Sequence, residues 1–199
     1  EYGIPKPKLY IVEMPILNAF ATGRDSKHAV VAVTRGLIEH LNHDEIEGVL
    51  AHELGHIKNR DMLTATMAAT VAGAIAYIAN IAWWGMIGGN RRGGGNAILI
   101  PLLILAPLAA TLVQLAISRT REYTADKTGA LTSKKPLALV SALEKISHVA
   151  KQHPIQGNSA TSHLFIVNPF KGGGFVNLFM THPPVEERVK RLKEIAKEL

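Results

Sequence analysis

The sequence predicts a mainly helical α+β protein, with a small β-sheet, interrupted by a transmembrane helical hairpin. Three observations carry that reading. Short β-branched runs crowd the first part of the chain, two long uncharged stretches occupy its middle, and amphipathic helical spacing marks the polar parts around them. Apolar residues make up 47% of the 199 residues and charged ones 19%, which excludes a disordered chain. The absence of cysteine excludes a disulfide-stapled miniprotein, thiol nucleophiles and cysteine-ligated metals. The chain starts at Glu1 rather than Met, and Glu1–Lys8 carries no signal peptide, so it reads as a processed or truncated piece.

Leu9–Glu13 and Ala29–Thr34 are β-branched runs that predict strands, and Asn18–Thr22, closed by Gly23, predicts a third. Asn42 and Glu45 form an N-cap signature for a helix from about His43 to Arg60, with Ile46, Leu50, Leu54 and Ile57 at helical spacing. No charge occurs from Met62 to Asn90. As a helix that stretch is on the order of 40 Å long, more than the ~30 Å hydrocarbon core of a bilayer. A second uncharged stretch runs from Gly93 to Ser118, most apolar at Ala97–Ile117, and the glycine-rich turn Gly88–Asn96 joins the two. Thr64, Thr66, Thr70 and Gly73 suit helix contact in lipid, Trp83 and Trp84 suit the interface, and Pro101 and Pro107 are expected to kink the second span. The competing reading is a buried core hairpin, but the other segments are too short to wrap two such helices.

Arg119–Thr128 continues the second span as a helix expected to stop near Gly129. Pro136–Gln152 is amphipathic, with Leu139, Val140, Leu143, Ile146 and Val149 on one face. His153–Pro184 reads as loop and Glu186–Leu199 as a last amphipathic helix. The expected division is therefore residues 1–61 and 119–199 as two halves of a polar domain, with a membrane hairpin over 62–118, its spans at about 62–88 and 97–117. Lys58, Arg60, Arg119 and Arg121 flank the returning ends, against Arg91 and Arg92 at the tip. The positive-inside rule then puts the polar domain in the cytoplasm. The net charge of +6 suits anionic lipid as a partner. No compact Lys/Arg stripe with interleaved aromatics points to nucleic acid.

The chemistry lies in His52-Glu53-Leu54-Gly55-His56, inside the first predicted helix. Four residues advance a helix by a little over one turn, so the two imidazoles project from nearly one face and can grip one zinc ion. Glu53 sits one step round and can take a proton from an attacking water without ligating the metal. The competing reading is two surface histidines. A catalytic zinc needs a third protein ligand, and Glu122 in Arg121-Glu122-Tyr123-Thr124-Ala125-Asp126 is the candidate. If both hairpin helices return to one surface, Glu122 arrives beside His52 and His56. Asp126, four residues on, is then placed to accept the free N–H of a ligating histidine. Gly55 would let a neighbouring helix approach closely.

With these motifs the chain resembles the HtpX-type membrane zinc proteases, relatives of the CAAX prenyl proteases. The resemblance rests on His52–His56, Ser118–Asp126, Asn18–Gly23 and Thr181-His182-Pro183-Pro184, in the expected order and over nearly the whole chain. It implies a zincin-like catalytic domain and one zinc ion, with Glu122 as third ligand. It also implies an endopeptidase in the cell (inner) membrane, multi-pass, facing the cytoplasm and degrading misfolded membrane proteins under stress. Members typically have two further membrane helices ahead of the protease domain, which fits a truncated start. Asn18, Ala19 and Phe20 look like the edge strand that would hold an extended polypeptide by β-augmentation.

His182, fixed by Pro183-Pro184 ahead of the last helix, is a candidate to stabilise the tetrahedral oxyanion. His28, His40, His43, His148, His153 and His163 lack metal-ligand spacing. Two other readings compete with the endopeptidase: a noncatalytic membrane adaptor stabilised by zinc, and a prenyl-peptide protease.

Overall fold

The computed structural model describes residues 2–88, 99–154, 165–167 and 183–199. His182, and Arg91 and Arg92 of the expected hairpin turn, lie outside the described residues. The chain divides into two compact units, Glu1–Leu63 with Ser118–Leu199, and Thr64–Ile117.

The first unit begins with strands β1 (Lys8–Val12), β2 (Ala19–Thr22) and β3 (Val30–Thr34). β3 is central, parallel to β1 and antiparallel to β2. Its buried Val31, Ala32 and Val33 explain the β-branched run that predicts it. Thr34 ends the strand and caps a short helix, α1 (Arg35–His40), by accepting from the Leu37 N–H. The sequence reading did not include α1, which is too short for a helical period to be visible.

Helix α2 (His43–Lys58) starts where the Asn42 and Glu45 signature predicts, and both bonds of the capping box are made. α5 (Pro136–Gln152) and α6 (Val185–Glu198) match the two predicted amphipathic helices to within a residue. Leu37, Val49 and Ile57 join Leu139, Leu143, Ile146 and Leu192 in one buried core. That core lets α2 present a second face elsewhere.

α3 (Asp61–Gly88) and α4 (Leu99–Ser133) run through the second unit. Both are long and apolar enough to cross a membrane. Their large side chains, including Met67, Val71, Ile78, Trp84, Ile104 and Val113, are exposed on several sides. A water-soluble helix would not leave so many uncovered. Of the two prolines, Pro107 lies in the interior of α4 and Pro101 in its first turn. α4 does not stop near Gly129, as the sequence suggested, but continues to Ser133. Gly129 is a packing glycine: a Cβ there would lie 2.9 Å from the His52 backbone nitrogen. The turn comes at Lys134, whose φ of 56° is the left-handed conformation that ends helices.

Candidate metal centre

The capping box fixes where α2 begins, and its helical phase turns His52 and Glu53 into the protein, where they are 2% and 4% exposed. Two glycines then let α4 lie against α2. A Cβ on Gly55 would meet the Ala125 carbonyl oxygen at 2.8 Å, and one on Gly129 would meet Ala51 and His52 backbone at 2.9 Å. The close crossing brings Glu122 and Asp126 beside the two histidines.

The His52 and His56 Nε2 atoms are 3.1 Å apart. Glu122 places one carboxylate oxygen 3.7 Å from the first and the other 3.6 Å from the second. Four ligands at ~2.1 Å around a tetrahedral zinc stand about 3.4 Å from one another, so this spacing fits such an ion. The outer nitrogens are held too. His52 Nδ1 is 2.9 Å from Asp126 Oδ1, and His56 Nδ1 is 2.7 Å from Asp61 Oδ2. A carboxylate only accepts, so each Nδ1 carries the proton. In the neutral rings both Nε2 lone pairs then converge on one point, an arrangement that calls for a cation between them.

The charge balance points the same way. Glu53, Asp61, Glu122 and Asp126 are buried together, and Arg188 is the buried cation among the described residues here. Arg188 grips Asp126 at two points, Nε to Oδ2 at 2.8 Å and Nη2 to Oδ1 at 2.7 Å. Its Nη1 lies 3.3 Å from Glu122 Oε2 and donates to the Ile166 carbonyl at 3.3 Å. Burial would lower the His56 pKa, but the bond to Asp61 and the charges of Glu122 and Glu53 outweigh it and raise it to about 9, so without a metal His56 also holds a proton on Nε2, in the place that a bound cation would take. Burial raises the Glu53 pKa, against the opposing pull of the two histidines. A carboxylate so placed holds a proton more readily than one in water, which suits a general base.

β2 reaches this site along its outer edge. Thr34 N–H bonds to the Asn18 carbonyl, so by alternation Phe20 and Thr22 face β3 while Ala19 and Ala21 point their backbone groups away from it. The Ala21 amide hydrogen-bonds the Glu53 carboxylate. Asn18 is turned inward, its Oδ1 accepting from the Ile166 N–H at 3.1 Å. The sequence reading gave Asp61 no role in the site and did not count Arg188 among its site residues. Arg188 had a visible signal: it interrupts the apolar stripe Val185, Val189, Leu192 of α6, where a charge is out of place.

The model of peptidase family M48 matches residues 1–196. The chain belongs to peptidase family M48. Among its relatives, a "Protease HtpX homolog" of Pyrococcus furiosus is 57% identical over 202 residues, 99% of this chain and 70% of the relative. One of Aquifex aeolicus is 54% identical over 206 residues, 99% of this chain and 68% of the relative. The crystal structure of S. mikatae Ste24p shares the fold, with a TM-score of 0.61 at 20% identity, over 96% of this chain. This chain spans 47% of that one. As an M48 peptidase the chain is a metal-dependent membrane protease acting on polypeptides, and the noncatalytic adaptor is not favoured.

Proposed function

We propose that the chain is a zinc endopeptidase of the cell (inner) membrane, multi-pass, with its catalytic domain in the cytoplasm, where it cleaves misfolded or damaged membrane proteins. Residues 1–61 and 119–199 form the protease domain, and 62–118 the membrane hairpin. His52, His56 and Glu122 hold one zinc ion. The single observation that carries this is the convergence of their donor atoms, 3.1 to 3.7 Å apart, on a point that neutral imidazoles address with lone pairs.

Bound there, zinc supplies the Lewis acidity that activates water and polarises a peptide carbonyl. The rest is the work of the chain. Glu53 takes the proton of the attacking water and delivers it to the leaving amine, a transfer helped by its raised affinity for protons. The Ala21 amide keeps that carboxylate aimed. Asp126 and Asp61 hold the two rings in the tautomer that offers Nε2. Within the segment Asn18, Ala19 and Phe20, the backbone groups of Ala19 point away from β3 and pair with an extended polypeptide, the mode of recognition least dependent on side chains. In this reading His182 stabilises the oxyanion.

The test is zinc content measured beside casein cleavage, in the native chain, Glu53→Gln and Glu122→Ala. The native chain is expected to carry one zinc and cleave casein. Glu53→Gln should keep the zinc and lose cleavage, and Glu122→Ala should lose both. Undiminished cleavage by Glu53→Gln excludes it as the base.

A further inference from the structure

The β2–β3 turn and the corner between α2 and α3 enclose a half-open cavity of about 350 Å³. Arg24, Lys27 and Arg60 bring three positive charges to it, and Asp25 one negative charge. That carboxylate is already engaged. Its Oδ1 accepts from the Lys27 and His28 amides at 2.9 Å and lies 2.8 Å from His28 Nδ1. Asp25 thus shapes the turn, with its Oδ2 3.6 Å from Arg24 Nε, and its single negative charge against three positive ones leaves the cavity a positive surplus. Arg60 adopts a φ of 58°, unusual for a residue with a side chain, where the backbone changes direction between α2 and α3.

Beside Ser26, the remaining wall is apolar, made by Ile57, Met62 and Leu63. Leu63 is 52% exposed, and it stands in the first turn of the helix long enough to cross a membrane. A cationic cavity with an apolar side, at the foot of a span, matches an amphiphile with an anionic head. A free inorganic anion would have no use for Met62 and Leu63.

We infer that this cavity binds the headgroup of an anionic phospholipid, its phosphate held by Arg24, Lys27 and Arg60 and its first acyl carbons by Met62 and Leu63. The inference rests on the reading of α3 as a membrane span. It gives the basic flank a defined seat rather than a diffuse attraction to the bilayer.

The test uses the full chain in a neutral detergent and water-soluble dihexanoylphosphatidylglycerol as the probe, followed by calorimetry. Saturable binding is expected. The double change Arg24→Gln, Lys27→Gln should weaken it on the order of tenfold or more. Both side chains are exposed on a turn, so the melting temperature should stay unchanged. The equal charge change Lys190→Gln, Lys197→Gln, at exposed positions of α6, should leave the affinity as it was. Inorganic phosphate and dihexanoylphosphatidylcholine should not compete. Competition by phosphate at equal strength, equal loss in both double variants, or no saturation would each overturn the assignment. Carbonate extraction from phosphatidylcholine vesicles reads membrane insertion separately. A chain that is extracted there yet binds the probe refutes the span and not the cavity.

Discussion

Arg188 and Asp126 form a two-point ion pair with both side chains out of water, one 0% and the other 4% exposed. The two residues lie 62 positions apart in the chain, on α4 and α6. The pair does two things at once. It closes α6 onto α4, and it fixes the carboxylate whose Oδ1 also holds His52 Nδ1. The fold and the candidate site therefore share one hinge-pin, and loosening it should be felt in both.

Replacing Arg188 by Met leaves the Asp126 charge buried without its bidentate partner. Loss of one member of a buried pair costs about 3–5 kcal/mol. The metal-free protein should therefore melt markedly lower. Changing both, Arg188→Met with Asp126→Leu, should recover part of that stability, since an apolar pair leaves no orphaned charge. Zinc affinity should nevertheless fall in the double variant, because Asp126→Leu removes the Nδ1 acceptor of His52. Thermal melts with and without zinc, run on both variants, check this.

Asp61 stands to His56 as Asp126 stands to His52. Its Oδ2 is 2.7 Å from His56 Nδ1, while its backbone carbonyl accepts from Arg121 Nη1 at 2.8 Å. Asp61→Asn removes the charge and leaves the backbone bond. Zinc affinity is expected to fall by about tenfold or more, the usual effect of disturbing the partner of a ligating imidazole. Competition with a chelator of known affinity measures it. An affinity equal to the native one would show that His56 is oriented by packing alone.

Much of this arrangement was legible in the sequence, and the parts that were not have a physical reason. The strands, the capped helix with His52 and His56, and the two amphipathic helices follow from short-range rules. Each is a pattern of neighbours a few residues apart. Glu122 and Asp126 could be placed beside the two histidines on the expectation that a hairpin returns to the side it left. Asp61 reads in sequence as one more charge at a helix start. Its role depends on the turn at Arg60, whose positive φ no local pattern announces. Gly129 reads as a stop because glycine usually ends helices, and only the approach of the His52 backbone shows what it is for.

That approach makes a prediction of its own. A methyl group at Gly129 would sit 2.9 Å from the Ala51 carbonyl carbon and the His52 nitrogen, atoms of helix backbone that cannot rotate aside. Gly129→Ala should cost about 1–3 kcal/mol through overpacking. By pushing α4 away from α2 it should also weaken zinc binding. Gly73→Ala is the control, because a Cβ there meets nothing within 4 Å. Alanine also favours the helix by up to ~1 kcal/mol, so that variant should be neutral or more stable. Equal behaviour of the two variants in a thermal melt would deny that α2 and α4 are in close contact.

Stability should also depend on acid through Glu45. Burial would raise its pKa, but bonds to Lys145 and Ser141 and to the Asn42 amide outweigh that and hold it below 4.5. Its carboxylate accepts from Ser141 at 2.6 Å and Lys145 at 2.9 Å, tying the start of α2 to α5. A group with a lowered pKa in the folded state contributes stability above its unfolded pKa. That contribution is lost as the pH falls through the folded value. The native chain should thus be more stable than Glu45→Gln at neutral pH, where the ion pair is intact. The gap should close as the pH drops below about 4.5, where the native side chain takes up the proton and becomes neutral like the variant. Urea midpoints of the two proteins over that range give the answer, and a gap that persists in acid would mean that shape rather than charge joins α2 to α5.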